Sequence, residues 1–358
     1  MDWNVSTGRA VVFRGDGEPR ESTRELIDAL TRIDTEKPID GDNYSLGGVV
    51  EELEFDFARR LGKEAAMFVP SGTLANHLAV RRHCSERRRC LIQEQSHLYQ
   101  DCGDCVPVLS GINLVPIARG RADVSVEDLE TAQSTASAGR VRTSIGAIVI
   151  ESPVRRQAGQ IVPMENLEAL SSWSRSHDIR THLDGARLYM MTAATGIDPA
   201  TYAALFDSVY VSLYKYFGAP FGAILAGSTE FIGGLYHDRR MFGGGLASSA
   251  LAAALALDGA ADFETKLAKA FAHARVTFEL IDRLPGLSLQ PFEHGSNIWP
   301  LRIDESVDLT AFLSALSERD IQVRIDPMFA DFVPMTINTT ILKQSPQEIA
   351  SAFEAALA

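Results

Sequence analysis

The chain has 358 residues, 46% hydrophobic and 23% charged, which suits a globular protein of two domains and excludes disordered and fibrous classes. Its formal net charge of −13 argues against a nucleic-acid partner, because phosphate binding needs a basic face. No run is apolar enough to span a bilayer, and the start Met1-Asp2-Trp3-Asn4 lacks signal-peptide order, so we expect no membrane partner and a cytoplasmic location.

Residues 1–20 contain Ala10-Val11-Val12-Phe13-Arg14-Gly15-Asp16-Gly17, too short a unit for a domain. They are expected to pack on a smaller domain or on a partner subunit. The polar, Gly-rich stretch 40–48 reads as a loop carrying Tyr44. Val49, Val50, Leu53, Phe57 and Leu61 recur at helical spacing with charges opposite, which predicts an amphipathic helix over 49–61. An apolar run then breaks at Pro70, presents Ser71-Gly72-Thr73 and resumes as a helix former. The first amides of a helix lack intrahelical partners and its dipole favours negative charge, so this start is a candidate phosphate site. An ordinary N-cap is the simpler reading of Ser-Gly-Thr taken alone.

Residues 89–92 read as a buried strand leading to His97. An imidazole with an ordinary pKa of about 6.5 suits acid or base work, and a hydrogen-bonded structural role is the alternative. Cys102-Gly103-Asp104-Cys105 has redox spacing, but no second pair accompanies it, so the four cysteines read as structural or incidental. The histidines show no tight ligand spacing, and no metal is expected. Next come a strand over 113–118, a helix over 124–132 and a flexible surface loop over 134–143. Residues 145–150 are a buried strand ending in Glu151, placed to support a site from beneath. An amphipathic helix covers 164–177.

Two apolar runs follow that each lead into a charged residue, 179–183 into Asp184 and 208–213 into Lys215. In an open α/β sheet ligands sit beyond the carboxyl ends of the strands, so both residues face one crevice. A pyridoxal ring works as an electron sink when a carboxylate keeps its pyridine nitrogen protonated and a lysine holds its aldehyde. Lys37, Lys63, Lys266, Lys269 and Lys343 lie in polar or helical contexts, and only Lys215 follows an apolar strand. The pair therefore points to pyridoxal 5′-phosphate, against the separate alternatives of an N-cap aspartate and a solvated lysine. A further strand over 221–226 precedes Arg239 to Leu246, whose three consecutive glycines do not match a dinucleotide motif. A helix follows over 248–257. Beyond about residue 260 the texture changes to a long helix over 263–284, strand-like runs at 287–289, 297–302, 321–325 and 335–340, and helices at 309–316 and 346–357. The expected fold is α/β: a large domain over 1–255 with a mostly parallel sheet flanked by helices, then a smaller α+β domain over 256–358.

Gly41-Asp42-Asn43-Tyr44, the run from Phe68 to Asn76, Ser96-His97, His182-Leu183-Asp184-Gly185-Ala186-Arg187-Leu188, Lys215 with Gly218 to Gly222, and Arg240 to Gly245 recur along most of the chain. Together they resemble the threonine aldolase group of the β-eliminating lyase family, pyridoxal-phosphate enzymes of the aspartate aminotransferase fold (fold type I). The resemblance implies that Lys215 carries the Schiff base to the cofactor and that Asp184 pairs with the ring nitrogen. Ser71, Gly72 and Thr73 are implied to hold the phosphate. His97 is implied to stack on the ring, and we take it as the candidate base, with Tyr44 second. Arg187 is implied to bind the substrate carboxylate, which its planar fork suits. The implied reaction is retro-aldol cleavage of a β-hydroxy-α-amino acid of the L-threonine or L-allo-threonine type to glycine and an aldehyde, in a homodimer or homotetramer. Three departures stand out. Ser152-Pro153-Val154 replaces an Asn-Thr-His sequence, Arg14-Gly15-Asp16-Gly17 replaces Arg-Ser-Asp-Thr, and 333–340 lacks a carboxylate-binding arginine. β-Elimination, racemisation or transamination on the same cofactor is the alternative. A binding protein without activity is disfavoured, because Lys215 and Asp184 are both retained.

Overall fold

Runs such as Ala147-Ile148-Val149-Ile150-Glu151 have no polar face, and all five of these residues are buried. Such strands are stable only in a sheet covered on both sides. The computed structural model describes residues 8–17 and 22–357. Residues 1–7 and 18–20 of the amino-terminal expectation, and residue 358 of the carboxyl-terminal one, lie outside the described residues.

The chain opens with β1 (Val11–Val12), α1 (Thr23–Glu36) and α2 (Gly48–Arg60). Then come β2 (Ala65–Val69), α3 (Gly72–His83), β3 (Arg89–Gln93), α4 (His97–Gln100), α5 (Cys105–Ser110) and β4 (Asn113–Ile117). β5 (Ala147–Glu151), β6 (Arg180–Asp184), β7 (Ser208–Ser212) and β8 (Ala223–Gly227) complete a seven-stranded sheet in the order β2-β8-β7-β6-β5-β3-β4. Neighbours from β7 to β4 run parallel, while β8 is antiparallel to both β7 and β2. Because β2 therefore runs the same way as β7, its carboxyl end reaches the same edge as those of β3, β5, β6 and β7. Helix Phe263–Asp282 then leads to β9 (Leu287–Leu289), β10 (Ile298–Ile303), β11 (Ile321–Gln322) and β12 (Val333–Thr336). β9, β10 and β12 form a small antiparallel sheet, and β11 pairs in parallel with β1. The amino-terminal segment thus packs on the carboxyl-terminal region, held also by Asn338 Nδ2, which donates to the Val12 carbonyl at 2.9 Å.

Three expectations are corrected. The loop over 134–143 is helical as far as Ala138, because Ser125 and Asp128 form a reciprocal capping box that starts helix Val126–Ala138 firmly. The strand over 321–325 shrinks to two residues, since only Val11 and Val12 pair with it. The run over 335–340 ends at Thr336 and turns into a short 3-10 helix at Thr339, capped by the Asn338 side chain. Helix α1, which the sequence reading did not assign, begins at Ser22, whose hydroxyl accepts the Glu25 N–H at 3.3 Å. No α1 residue is buried. No helix among the described residues is long and apolar enough to cross a membrane.

Candidate active site

The sheet's carboxyl edge gathers the charged residues that the sequence singles out. Asp184 ends β6 and lies opposite Tyr210 of β7, while Lys215 follows three residues after the last β7 residue, Ser212. Between them and β2, α3 starts with Ser71 as its cap, the hydroxyl accepting the Leu74 N–H at 3.2 Å. Gly72 is a steric requirement there: a Cβ would lie 1.9 Å from the Tyr210 hydroxyl oxygen. Only glycine lets the helix start approach the strand so closely. The free amides of this 12-residue helix, with Ser71 and Thr73, therefore open beside Asp184 and Tyr210.

Asp184 is 1% exposed. Asn76 Nδ2 donates to its Oδ2 at 2.6 Å, and the Ala186 N–H to its Oδ1 at 3.2 Å. Asn76 Oδ1 in turn faces His182 Nε2 at 3.0 Å, and His182 Nδ1 faces Ser208 Oγ at 2.8 Å. Since Asn76 Oδ1 can only accept, His182 carries its proton on Nε2 and accepts at Nδ1 from Ser208. Burial, reinforced by the nearby His83, pulls the His182 pKa down to about 3, so the ring stays neutral. Among the described residues Asp184 makes no ion pair, so both of its hydrogen-bond donors are neutral.

Lys215 is partly buried, and that desolvation lowers its pKa to about 8. Arg187 adds repulsion, while Asp16, Asp184 and Glu151 oppose the shift. Arg187 Nε pairs with Asp16 Oδ2 at 2.8 Å, and Asn297 Nδ2 donates to Asp16 Oδ1 at 3.2 Å. The Arg187 Nη groups have no hydrogen bond among the described residues. Gly17 packs so tightly on the Lys215 main chain that a Cβ would fall 2.5 Å from its carbonyl oxygen. A cavity of about 1010 Å³ opens here, lined by Asp16, Arg155, Arg187, Tyr214, Lys215 and Met328 among others.

His97 starts α4. Its N–H donates to Glu151 Oε2, and its Nδ1 lies 3.4 Å from Asp101 Oδ2. Hydrogen bonding with Cys102 raises the His97 pKa, aided by the charge of Asp184 and opposed by burial and Lys215. Glu151 is buried at the end of β5, its Oε1 accepts from the Arg155 N–H at 2.9 Å, and burial with the charge of Asp184 raises its pKa to about 7. Arg156 and Arg155 clamp Asp101 and hold its pKa well below the carboxylate range. Val154 is buried in a β-bridge to Gln160, and it is Arg155 that reaches the cavity.

Lys215 feels the charges of Asp184 and Arg187, His97 those of Asp184 and Lys215, and α3 brings Ser71, Gly72 and Thr73 to the same edge. Tyr44 is not brought there. It is 49% exposed, with the Arg240 guanidinium 4.3 Å from its ring centroid, and it does not line the cavity. Ser212 was missed by the sequence reading. Its Oγ is buried with no hydrogen-bond partner among the described residues, although Tyr210 lies close enough to interact with it. Its position three residues before Lys215, at the end of the same strand, is the signal that could have found it.

The profile of the family described as Beta-eliminating lyase matches residues 22–303, well over half of the chain. The chain belongs to the β-eliminating lyase family. It is 27% identical over 98% of both chains to the probable low-specificity L-threonine aldolase 2 of Arabidopsis thaliana. It is 26% identical to low-specificity L-threonine aldolase 1 of the same plant, over 85% of this chain and 84% of that one. A crystal structure of a Listeria monocytogenes protein assigned as an L-allo-threonine aldolase superposes with a TM-score of 0.81 at 27% identity, covering 99% of this chain and 98% of that one. This β-eliminating lyase chain therefore has fold type I. Among its described residues no cluster of three or more His, Cys, Asp or Glu is arranged to hold a metal ion.

Proposed function

We propose that the protein is a pyridoxal-phosphate-dependent aldolase that cleaves a β-hydroxy-α-amino acid of the L-threonine or L-allo-threonine type to glycine and an aldehyde. The observation that carries this reading is a buried carboxylate with no ion pair among the described residues, Asp184, beside a lysine whose ammonium is disfavoured, Lys215. A buried charge without a counter-charge is costly, and the pyridinium of the cofactor is the counter-charge that would satisfy it. The unpartnered Ser212 hydroxyl and the open amides of α3 fit a phosphate in the same way. The names of the relatives support the substrate class.

When bound, pyridoxal phosphate supplies the electron sink for the pair of electrons left at Cα when the Cα–Cβ bond breaks. Ser71, Gly72, Thr73 and Ser212 would hold its phosphate, Asp184 would keep its ring nitrogen protonated, and Lys215 would hold its aldehyde. With a pKa of about 8, about a tenth of Lys215 is a neutral amine at pH 7, far more than for a solvated lysine, and can act as a nucleophile. Arg187 binds the substrate carboxylate through its Nη groups while Asp16 fixes the guanidinium through Nε. His97 takes the proton of the β-hydroxyl, and Glu151 and Asp101 hold it in place from the main chain and from Nδ1. Tyr44 and Arg240 form an exposed pair outside the cavity of their own chain. We assign Tyr44 to a site across a subunit border, in a cytoplasmic homodimer or homotetramer.

Incubating the cofactor-loaded protein with L-threonine and with L-allo-threonine tests the reading. Acetaldehyde and glycine should appear in equal amounts. A 2-oxo acid with ammonia, or threonine epimerised without cleavage, would mean that a different bond is broken.

A further inference from the structure

Cys102 and Cys105 flank a turn beside the site that has no part in the proposed reaction. Gly103 and Asp104 both adopt left-handed backbone, with φ of 58° and 53°, and the Cys105 N–H donates to the Cys102 carbonyl at 3.3 Å. A turn closed by such a bond keeps its first and last Cα within about 7 Å. A disulfide needs a Cα separation of roughly 4.4–6.8 Å, so a bridge here asks for little more than side-chain rotation. The two thiols already interact with each other, and both are partly exposed, whereas Cys84 and Cys90 are buried. Cys102 Sγ also lies 3.6 Å from Thr73 Oγ1 and interacts with the His97 ring.

We propose that Cys102 and Cys105 form a reversible disulfide on the rim of the active site, made by exchange with a low-molecular-weight disulfide. Cys105 is the first nucleophile, because hydrogen bonding from Cys102 lowers its pKa and favours the thiolate. Its sulfur attacks one sulfur of R–S–S–R, the S–S bond breaks, and RS⁻ leaves and takes a proton from solvent. Cys102 then gives its proton to solvent and attacks the Cys105 sulfur of the mixed disulfide, releasing a second RS⁻, which is protonated in turn. Two protein thiols become one disulfide while R–S–S–R becomes two R–SH. Drawing Cys102 Sγ towards Cys105 takes it from Thr73 and His97. Oxidation therefore loosens the start of α3 and the imidazole, and a ligand held there resists oxidation by the same factor. This coupling rests on the reading of the cofactor site, whereas the bridge itself does not.

The test counts thiols on the cofactor-loaded protein before and after treatment with oxidised glutathione, native and then unfolded. Cys102 and Cys105 should react in the native protein and all four cysteines once unfolded. After oxidation the native protein should show none and the unfolded protein only Cys84 and Cys90, with no glutathione mass added and full recovery by dithiothreitol. Cys102→Ser should instead keep glutathione on Cys105. Four thiols after treatment, or stable glutathione on both Cys102 and Cys105, would overturn the bridge. Cofactor affinity should fall roughly 5- to 150-fold on oxidation of the wild type, the span of typical coupling between sites. An unchanged affinity in the bridged protein would overturn the coupling.

Discussion

At the scale of single residues, Ser212 and Lys215 test the same strand end in different ways. Among the described residues the Ser212 hydroxyl has no hydrogen-bond partner, so Ser212→Ala should leave the Tm of the apoprotein unchanged. Cofactor affinity should nevertheless drop about tenfold to a hundredfold, the worth of one hydrogen bond to a charged group. Titrating apoprotein with pyridoxal phosphate checks this, and an apoprotein that loses stability would make Ser212 structural. For Lys215 the pH dependence has a fixed sign. Burial brings its pKa down to about 8, so the neutral amine grows about tenfold per pH unit below that value and then saturates. The rate at which apoprotein captures a carbonyl compound should follow that curve. A rate still climbing near pH 10 would mean a solvated lysine with its ordinary pKa. Lys215 and Asp184 were legible because each follows a strongly apolar strand. Ser212 was not, because a serine in Ser-Val-Tyr-Val-Ser looks like any strand residue until its burial is seen.

Among elements, the hydrogen bonds joining α3, β6 and β7 hold the core of the site. The pKa of His182 lies near 3 and that of His83 near 4, both lowered mainly by burial, against about 6.5 in an unfolded chain. Below about pH 6.5 the unfolded chain therefore binds more protons than the folded one, and these two residues make stability fall as pH falls towards their folded values. Glu151 acts in the opposite sense. Its pKa is raised from 4.5 to about 7, so its contribution falls as pH rises through that interval. Replacing His182 by Asn, which keeps polar atoms but takes up no proton, should flatten the acid side of the stability curve measured by urea unfolding. An unchanged slope would show that His182 does not remain neutral in the fold. The helices with clear apolar periodicity were legible to within a few residues. The segment 134–143 was not, because its Ser, Thr and Ala composition imitates a loop, and the capping box at Ser125 and Asp128 decides otherwise.

Over the whole molecule, the site depends on contacts that no local pattern reveals. Asp16 comes from a segment too short to read as structure, yet it holds Arg187 and is held by Asn297, the residue just before β10. Asp16→Asn should leave the fold intact and raise KM for the amino acid roughly tenfold, with a smaller effect on kcat, as expected when a carboxylate-binding arginine loses its charged partner. Equal losses in kcat and kcat/KM would instead place Asp16 in the bond-breaking step. The parallel sheet was legible from strand runs ending in charged residues, and those runs marked its carboxyl edge as the candidate site, because an open α/β sheet places its ligands there. Residues 8–17 were expected on the smaller domain or on a partner subunit, but the pairs that seat them, such as Val11 with Ile321, were not legible, since they lie far apart along the chain.

The most direct measurement is to load the apoprotein with pyridoxal phosphate, reduce it with borohydride and map the labelled peptide. The label should sit on Lys215 alone, and Lys215→Ala should take up none and release no acetaldehyde from L-threonine. A label on any other lysine, or undiminished cleavage by Lys215→Ala, would contradict the assignment of the site at the carboxyl edge of the sheet.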